Sequence, residues 1–146
     1  KSGIIPTSCC LSDVVKPDDE YPHASGGFAD VWRGTHDGVP VALKFIRLHT
    51  GNREGFRKVR THQSSADQEV VIWRRLLHCN IVPFLGVVDR RRPCIVSEWM
   101  EYEDVMSYLK RFPQANRTQL ITDIARGLKY MHDSEVVHGD MKPVSR

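Results

Sequence analysis

The feature that most restricts the fold is a two-residue turn between two strand-like stretches. Asp37-Gly38 follows a stretch that begins at Phe28, and residues 39–45 after the turn alternate between an outward and an inward side chain. Asp-Gly pairs favour the tight turn that joins two antiparallel strands, because both residues tolerate a positive φ. The pattern predicts a β-hairpin.

A second hairpin and one helix complete this half of the chain. Residues 81–88 and 94–100 are apolar runs of strand length, and the charged residues 89–93 join them. Between the two hairpins, residues 67–77 place apolar side chains at helical spacing. The periodicities predict five short strands packed with one helix, after an irregular lead-in over residues 1–20.

The pattern after Met100 is helical. Asp104 is a candidate N-cap for a short helix that runs through Leu109. A longer helix is predicted from Arg117 to His132, because its apolar residues fall on one stripe. These are Leu120, Ile121, Ile124, Ala125, Leu128 and Met131.

Composition excludes several classes of protein. The 146 residues, of which 40% are hydrophobic and 27% charged, are typical of one globular domain. The net charge is only +3 and the densest basic run is Arg90 to Arg92, so we expect no nucleic-acid partner. No apolar run approaches the length of a membrane span. Four cysteines without metal or redox spacing indicate reduced thiols in an intracellular, cytoplasmic protein that contacts no membrane.

Two features of the first half suggest chemistry. Lys44 lies in an otherwise apolar strand, where an ammonium group is costly without an acidic partner or an anion. Glu69, at the start of the predicted helix, is the natural partner, although position alone equally fits a surface glutamate. Gly26-Gly27 would let the backbone approach a phosphate closely, and the alternative is a simple glycine-rich turn.

Taken in order, these segments resemble the signatures of protein kinases. The stretch from Ala24 to Val31 is similar to G-x-G-x-x-G-x-V, and Val41-Ala42-Leu43-Lys44 is similar to V-A-I-K. His138-Gly139-Asp140-Met141-Lys142 is similar to H-R-D-L-K. The resemblance runs from about Tyr21 to Lys142. The motif residues are most similar to those of the tyrosine-kinase-like group as found in fungi. That group of kinases is mostly specific for Ser and Thr.

The resemblance implies an α+β, protein-kinase-like fold. Residues 21–97 would form the N-lobe, a five-stranded antiparallel sheet with its αC helix. Residues 98–146 would form the hinge and the first helices of an α-rich C-lobe that is truncated in the catalytic loop.

The resemblance also implies roles for particular residues. Lys44 would bind the α and β phosphates of ATP and pair with Glu69. Asp140 would accept the proton of the substrate hydroxyl, and Lys142 would steady the transferring phosphoryl group, as in kinases for Ser and Thr. The remaining nucleotide contacts would come from the glycine loop, two apolar side chains, the gatekeeper position and the hinge: Gly26, Gly27, Phe28, Val31, Ala42, Ser97, Glu98 and Met100.

The sequence departs from the kinase pattern at the metal ligands. Ser145 stands where the family has a magnesium-binding asparagine, and no D-F-G sequence supplies the other ligand. We therefore expect weak ATP binding, no metal site and little activity from this chain alone. The alternative to a Ser/Thr kinase acting on a protein substrate is a non-catalytic, pseudokinase-like remnant that binds ATP weakly or engages a partner kinase.

Two segments fit retained intron sequence. Joining Lys58 directly to Glu69 restores the usual kinase reading, so residues 59–68 look like an insertion. The chain ends with residues 144–146, and the pair Val144-Ser145 can be encoded by a common intron donor sequence. We expect an irregular loop at the first segment and a terminus produced by gene structure at the second.

Overall fold

The computed structural model describes residues 7–15, 20–26, 29–47, 68–88, 94–139 and 141. The chain divides into two compact units. The first comprises Lys1–Arg75 and Phe84–Trp99, and the second comprises Leu76–Pro83 and Met100–Arg146. Residues 76–83, which the sequence-based division assigns to the N-lobe, therefore group with the second unit. The expectations for residues 59–67, Arg90 to Arg92 and residues 144–146 lie outside the described residues.

In the described part of the first unit the strands form a six-stranded sheet in the order β1-β3-β4-β6-β5, with β2 also paired to β3. The strands are β1 (Val14–Val15), β2 (Ala24–Ser25), β3 (Ala29–His36), β4 (Val39–Ile46), β5 (Phe84–Val88) and β6 (Cys94–Glu98). All strand pairs in this order are antiparallel. The five predicted strands are confirmed, and β1 is an addition.

The two predicted hairpins form with small changes at their ends. Asp37 and Gly38, with φ of 51° and 77°, make the turn between β3 and β4. In the second hairpin, β5 begins at Phe84 and not at residue 81. Pro83 has no N–H to donate to a ladder, and the N–H of Ile81 donates instead to the carbonyl of His78 at 3.0 Å.

The sheet carries apolar clusters on both faces. One cluster joins Val41, Leu43, Cys94 and Val96, and we call this side the core face. The other cluster involves helix α1, of which residues 68–73 are described. The predicted end of this helix at residue 77 was wrong. The N–H of Arg75 bonds to the carbonyl only three residues back, at 3.0 Å, which tightens the chain into a turn after residue 73.

The lead-in was wrongly predicted to be irregular throughout. Residues Thr7–Cys9 form a 3₁₀ turn, and β1 pairs with the outer side of β3. Between them, the N–H of Leu11 donates to the carbonyl of Val87 at 3.0 Å. The Leu11 side chain packs against the core-face cluster. Residues 7–15 are therefore part of the first unit and not a loose extension.

The second unit contains two capped helices. Helix α2 (Val105–Arg111) begins after Asp104, whose carboxylate accepts hydrogen bonds from the N–H groups of Met106 and Ser107 at 2.7 and 2.9 Å. Asn116 caps helix α3 (Arg117–Asp133) in the same way. The predicted ends, Leu109 and His132, fall two residues and one residue short of those observed.

Helix α3 contacts a short segment of the same unit. The hydroxyl of Tyr130 accepts a hydrogen bond from the N–H of Leu77 at 3.1 Å, and its ring stacks on His78 with centroids 4.9 Å apart. Part of the apolar stripe predicted for this helix is exposed, since Ile121 retains 67% of its accessible surface.

We predict that Gly86→Ala destabilises the first unit. An added Cβ would lie 2.6 Å from Cγ of Leu11 and 2.8 Å from the carbonyl oxygen of Cys9, so the N-terminal segment would have to move. Overpacking of this kind costs about 1–3 kcal/mol. Urea unfolding should show a loss of this size, whereas the neighbouring Leu85→Ala, at a side chain that is 41% exposed, should change stability much less. An unchanged midpoint in the Gly86 variant would contradict the close packing of residues 9–11.

Candidate functional site

The register of the sheet collects four of the predicted site residues on one face. Val31 pairs with Lys44, and Ala42 pairs with Ser97. Directly paired residues of antiparallel strands point to the same side, as do residues two apart on one strand. Val31, Ala42, Lys44 and Ser97 therefore share the side opposite the core face, which we call the lysine face.

Lys44 and Glu69 form the predicted ion pair. Nζ of Lys44 lies 2.6 Å from Oε1 of Glu69, although the two residues are 25 positions apart in sequence. Their side chains remain 35% and 38% exposed, so the pair contributes less than about 1 kcal/mol to folding. Its main effect is to hold the ammonium group in a defined place on the lysine face.

Helix α1 is held against the sheet by the residue next to Glu69. Val70 has no exposed surface and packs with Val87 of β5 and Ile95 of β6. Trp73, one helical turn further on, approaches Phe84 with ring centroids 6.2 Å apart. These apolar contacts fix the helix, and the fixed helix presents Glu69 to Lys44.

The other predicted nucleotide contacts are distributed along the chain. Ser97 is only 8% exposed, so among the described residues it stands out as a polar residue buried in the sheet. Glu98 ends β6 opposite Val41, while Met100 belongs to the second unit. The N–H of Gly26 donates to the carbonyl of Ala29 at 2.9 Å, which draws the two ends of the glycine loop together. Gly27, Phe28, Asp140 and Lys142 lie outside the described residues.

A polar cluster that sequence reasoning missed lies at the glycine loop. Arg47, just after β4, donates from Nε to Oδ2 of Asp30 at 2.8 Å and from Nη2 to Oδ1 at 2.5 Å. Arg47 also donates to the hydroxyl of Ser25, which in turn donates to Asp30 Oδ1 at 2.6 Å. The sequence places an acidic residue near the start of β3 and a basic residue just after β4. That these two side chains and Ser25 meet depends on the register of three strands.

A second missed group surrounds Trp99 at the end of the first unit. The guanidinium carbon of Arg33 lies 5.4 Å from the Trp99 ring centroid, a cation–π distance. The His23 ring meets the same indole edge-on, with centroids 4.8 Å apart. Arg33 is on the lysine face, because it pairs with Ala42.

The described residues hold neither a metal-binding cluster nor a membrane-spanning helix. That part of the chain contains no group of three or more His, Cys, Asp or Glu side chains able to hold a metal ion. It also has no helix with the length and apolar character needed to cross a membrane. The four cysteines, all among the described residues, form no disulfide bond.

Comparison with known proteins identifies the class. The model of the protein kinase domain family matches residues 24–144, and the chain therefore belongs to the protein kinase domain family. It is 33% identical over 125 residues to the serine/threonine/tyrosine-protein kinase HT1 of Arabidopsis thaliana, covering 82% of this chain and 31% of that protein.

Two further relatives have similar names. The chain is 29% identical over 124 residues to the serine/threonine-protein kinase STY17 of Arabidopsis thaliana, covering 82% of this chain and 20% of that kinase. It is 30% identical over 134 residues to the dual specificity protein kinase zakA of Dictyostelium discoideum, covering 84% of this chain and 16% of that kinase. The chain thus spans less than a third of the length of these curated relatives.

We predict that Asp30→Asn weakens the acid sensitivity of the fold. Hydrogen bonds from Arg47, and then from Ser25, lower the pKa of Asp30 from 3.8 to about 2. A carboxyl group with a lowered folded-state pKa stabilises the fold above its unfolded pKa of 3.8, and this contribution is lost as the pH falls through about 2. The Asn variant should therefore lose less stability between these two pH values in urea unfolding.

The Arg47→Met variant is the matched comparison, because it removes the main cause of the lowered pKa while leaving the carboxyl group in place. It should give the same flattened pH profile as Asp30→Asn. Profiles of both variants parallel to that of the parent chain would contradict the pairing.

Proposed function

We propose that the protein carrying this domain is an ATP-dependent kinase that transfers a phosphoryl group to Ser or Thr of a protein substrate. The observation that carries the proposal is the Lys44–Glu69 pair at 2.6 Å on the lysine face, in a chain of the protein kinase domain family. A paired lysine keeps its charge in a fixed position, which is what binding to the phosphates of a nucleotide requires.

On the lysine face, different residues would contact the adenine ring and the phosphates of the nucleotide. Val31 and Ala42 offer a small apolar surface for the adenine ring, while Lys44 binds the α and β phosphates. The glycine loop, with Gly26, Gly27 and Phe28, covers those phosphates. Ser97 is the gatekeeper beside this surface. The carbonyl of Glu98 and the N–H of Met100 meet the adenine edge, where backbone groups give specificity without requiring particular side chains.

The catalytic steps would use the H-G-D segment. Asp140 accepts the proton of the substrate hydroxyl, and Lys142 stabilises charge on the transferring phosphoryl group. When bound, Mg²⁺ would neutralise further charge on the phosphates of the nucleotide. The names of the relatives, which include serine/threonine-protein kinases, support Ser or Thr as the acceptor. An intracellular, cytoplasmic location without nucleic acid fits four thiols that form no disulfide bond and the modest net charge.

A second candidate is a non-catalytic domain that binds ATP weakly or contacts a partner kinase. It is favoured by Ser145 at the position of the magnesium-binding asparagine. The two candidates differ in their dependence on Mg²⁺, and they share the requirement for Lys44.

We predict that Lys44→Met lowers the affinity for ATP about 10- to 150-fold, because a charge-assisted contact to phosphate is worth about 1.5–3 kcal/mol. Adenosine, which has no phosphate, should bind the variant and the parent chain equally well. Isothermal titration of both ligands measures the difference. Lys110→Met, at an exposed lysine of helix α2, is the control and should leave both affinities unchanged. An ATP affinity that Lys44→Met does not alter would contradict the proposed site.

We also predict that ATP binding by the 146-residue chain is weaker than micromolar and depends little on Mg²⁺, since the family's metal ligands are missing from these residues. Titration with ATP in the presence of either Mg²⁺ or EDTA tests this expectation. Micromolar or tighter binding that requires Mg²⁺ would show that other side chains supply the metal ligands. Phosphorylation of a protein substrate that is abolished by Asp140→Asn would decide in favour of the catalytic candidate.

A further inference from the structure

The Ser25, Asp30 and Arg47 side chains join three strands at one point. Ser25 ends β2, Asp30 lies near the start of β3, and Arg47 directly follows β4. The guanidinium group makes two parallel hydrogen bonds to the Asp30 carboxylate, at 2.8 and 2.5 Å, and also donates to the Ser25 hydroxyl. Bidentate pairs of this kind restrict orientation more than a single contact does.

This cluster lies where the glycine loop leaves and rejoins the sheet. Ser25 is the register partner of Asp30, and the next residue, Gly26, donates its N–H to the carbonyl of Ala29. Whatever holds Ser25 and Asp30 therefore holds both arms of the loop.

The backbone alone provides little support for the first arm. Strand β2 has only two residues, whereas β3 and β4 have eight each. A glycine-rich turn also loses more conformational entropy on ordering than other sequences do. A side-chain clamp from β4 would supply the missing restraint.

Strand β4 connects this clamp to the lysine. Lys44 lies near the end of β4 and Arg47 directly follows the strand, and they use different partners: Glu69 for Lys44, and Asp30 with Ser25 for Arg47. The strand thus holds the phosphate-binding ammonium group and, through Arg47, the loop expected to cover the same phosphates.

We propose that Arg47 is a positioning residue for the phosphate-binding loop. Through Asp30 and Ser25 it fixes residues 24–26 and 29–31, the two arms of the loop, relative to the strand that carries Lys44 before a nucleotide arrives. This inference rests on the proposed nucleotide-binding function. The lowered pKa of Asp30 agrees with it, because hydrogen bonds from Arg47, and then from Ser25, are what lower it.

The first test compares two ligands that differ in their phosphates. In Arg47→Met, the dissociation constant for ATP should rise about three- to ten-fold, and that for adenosine should change less than about two-fold. The double variant Arg47→Asp with Asp30→Arg restores the opposite charges and should recover part of the ATP affinity. Arg126→Met, which breaks an Arg–Asp pair on helix α3, is the control and should change neither constant.

The second test needs no nucleotide. Hydrogen exchange of the Gly26 amide, followed by NMR in the 146-residue chain, should become about five-fold faster in Arg47→Met and in the milder Asp30→Asn, if the clamp orders the loop. The amides of β4 and β6 should exchange at their original rates, which shows that the sheet remains folded.

The outcomes separate the clamp from the nucleotide proposal. If the parent chain binds neither ATP nor adenosine, the proposed nucleotide function fails, and hydrogen exchange alone decides the clamp. Unchanged exchange at Gly26 in both variants overturns the clamp. An equal loss of ATP and adenosine affinity in Arg47→Met overturns it as well, because it would show a general effect on the fold.

Discussion

The alternation of side chains along strand β4 is the constraint on which the first unit depends. This strand lies between β3 and β6 in the sheet, so both of its edges are used for pairing. Val41 and Leu43 are almost fully buried on the core face, and Lys44 points to the opposite side. A slip of one residue would bury the ammonium group and expose two core side chains. The same register therefore secures the core and places the lysine.

Two ion pairs extend from this strand, and neither is important mainly for stability. Lys44 with Glu69 and Arg47 with Asp30 are both partly exposed, where such pairs contribute little to folding. Their consequence is positional, because each connects β4 to another element: a helix in the first case and the glycine loop in the second. Apolar contacts such as those of Val70 provide the stability that makes these positions fixed.

The N-terminal segment shows how a short sequence without periodicity can still belong to a core. Residues 7–15 form one 3₁₀ turn and a two-residue strand, and elements this short leave no detectable period of 2 or 3.6. The segment is held by its close approach to Gly86 and by the bond from the Leu11 N–H to β5. Both depend on residues more than 70 positions away, so local reasoning could not find them.

The sequence by itself determined the hairpin at Asp37-Gly38 and the capped helices after Met100, because local turn chemistry, caps and strong periodicity specify such features. The Lys44–Glu69 pair was predicted from the cost of an unpaired lysine in an apolar strand and from the family's residue pattern, and the side chains of the two residues meet in the fold. Only the tertiary structure decided the packing of residues 7–15, the early end of helix α1 and the Ser25–Asp30–Arg47 cluster. The physical reason is the same in each case: these features arise from contacts between segments distant in the chain, where strand register and close packing choose the partner among many residues of suitable charge or size.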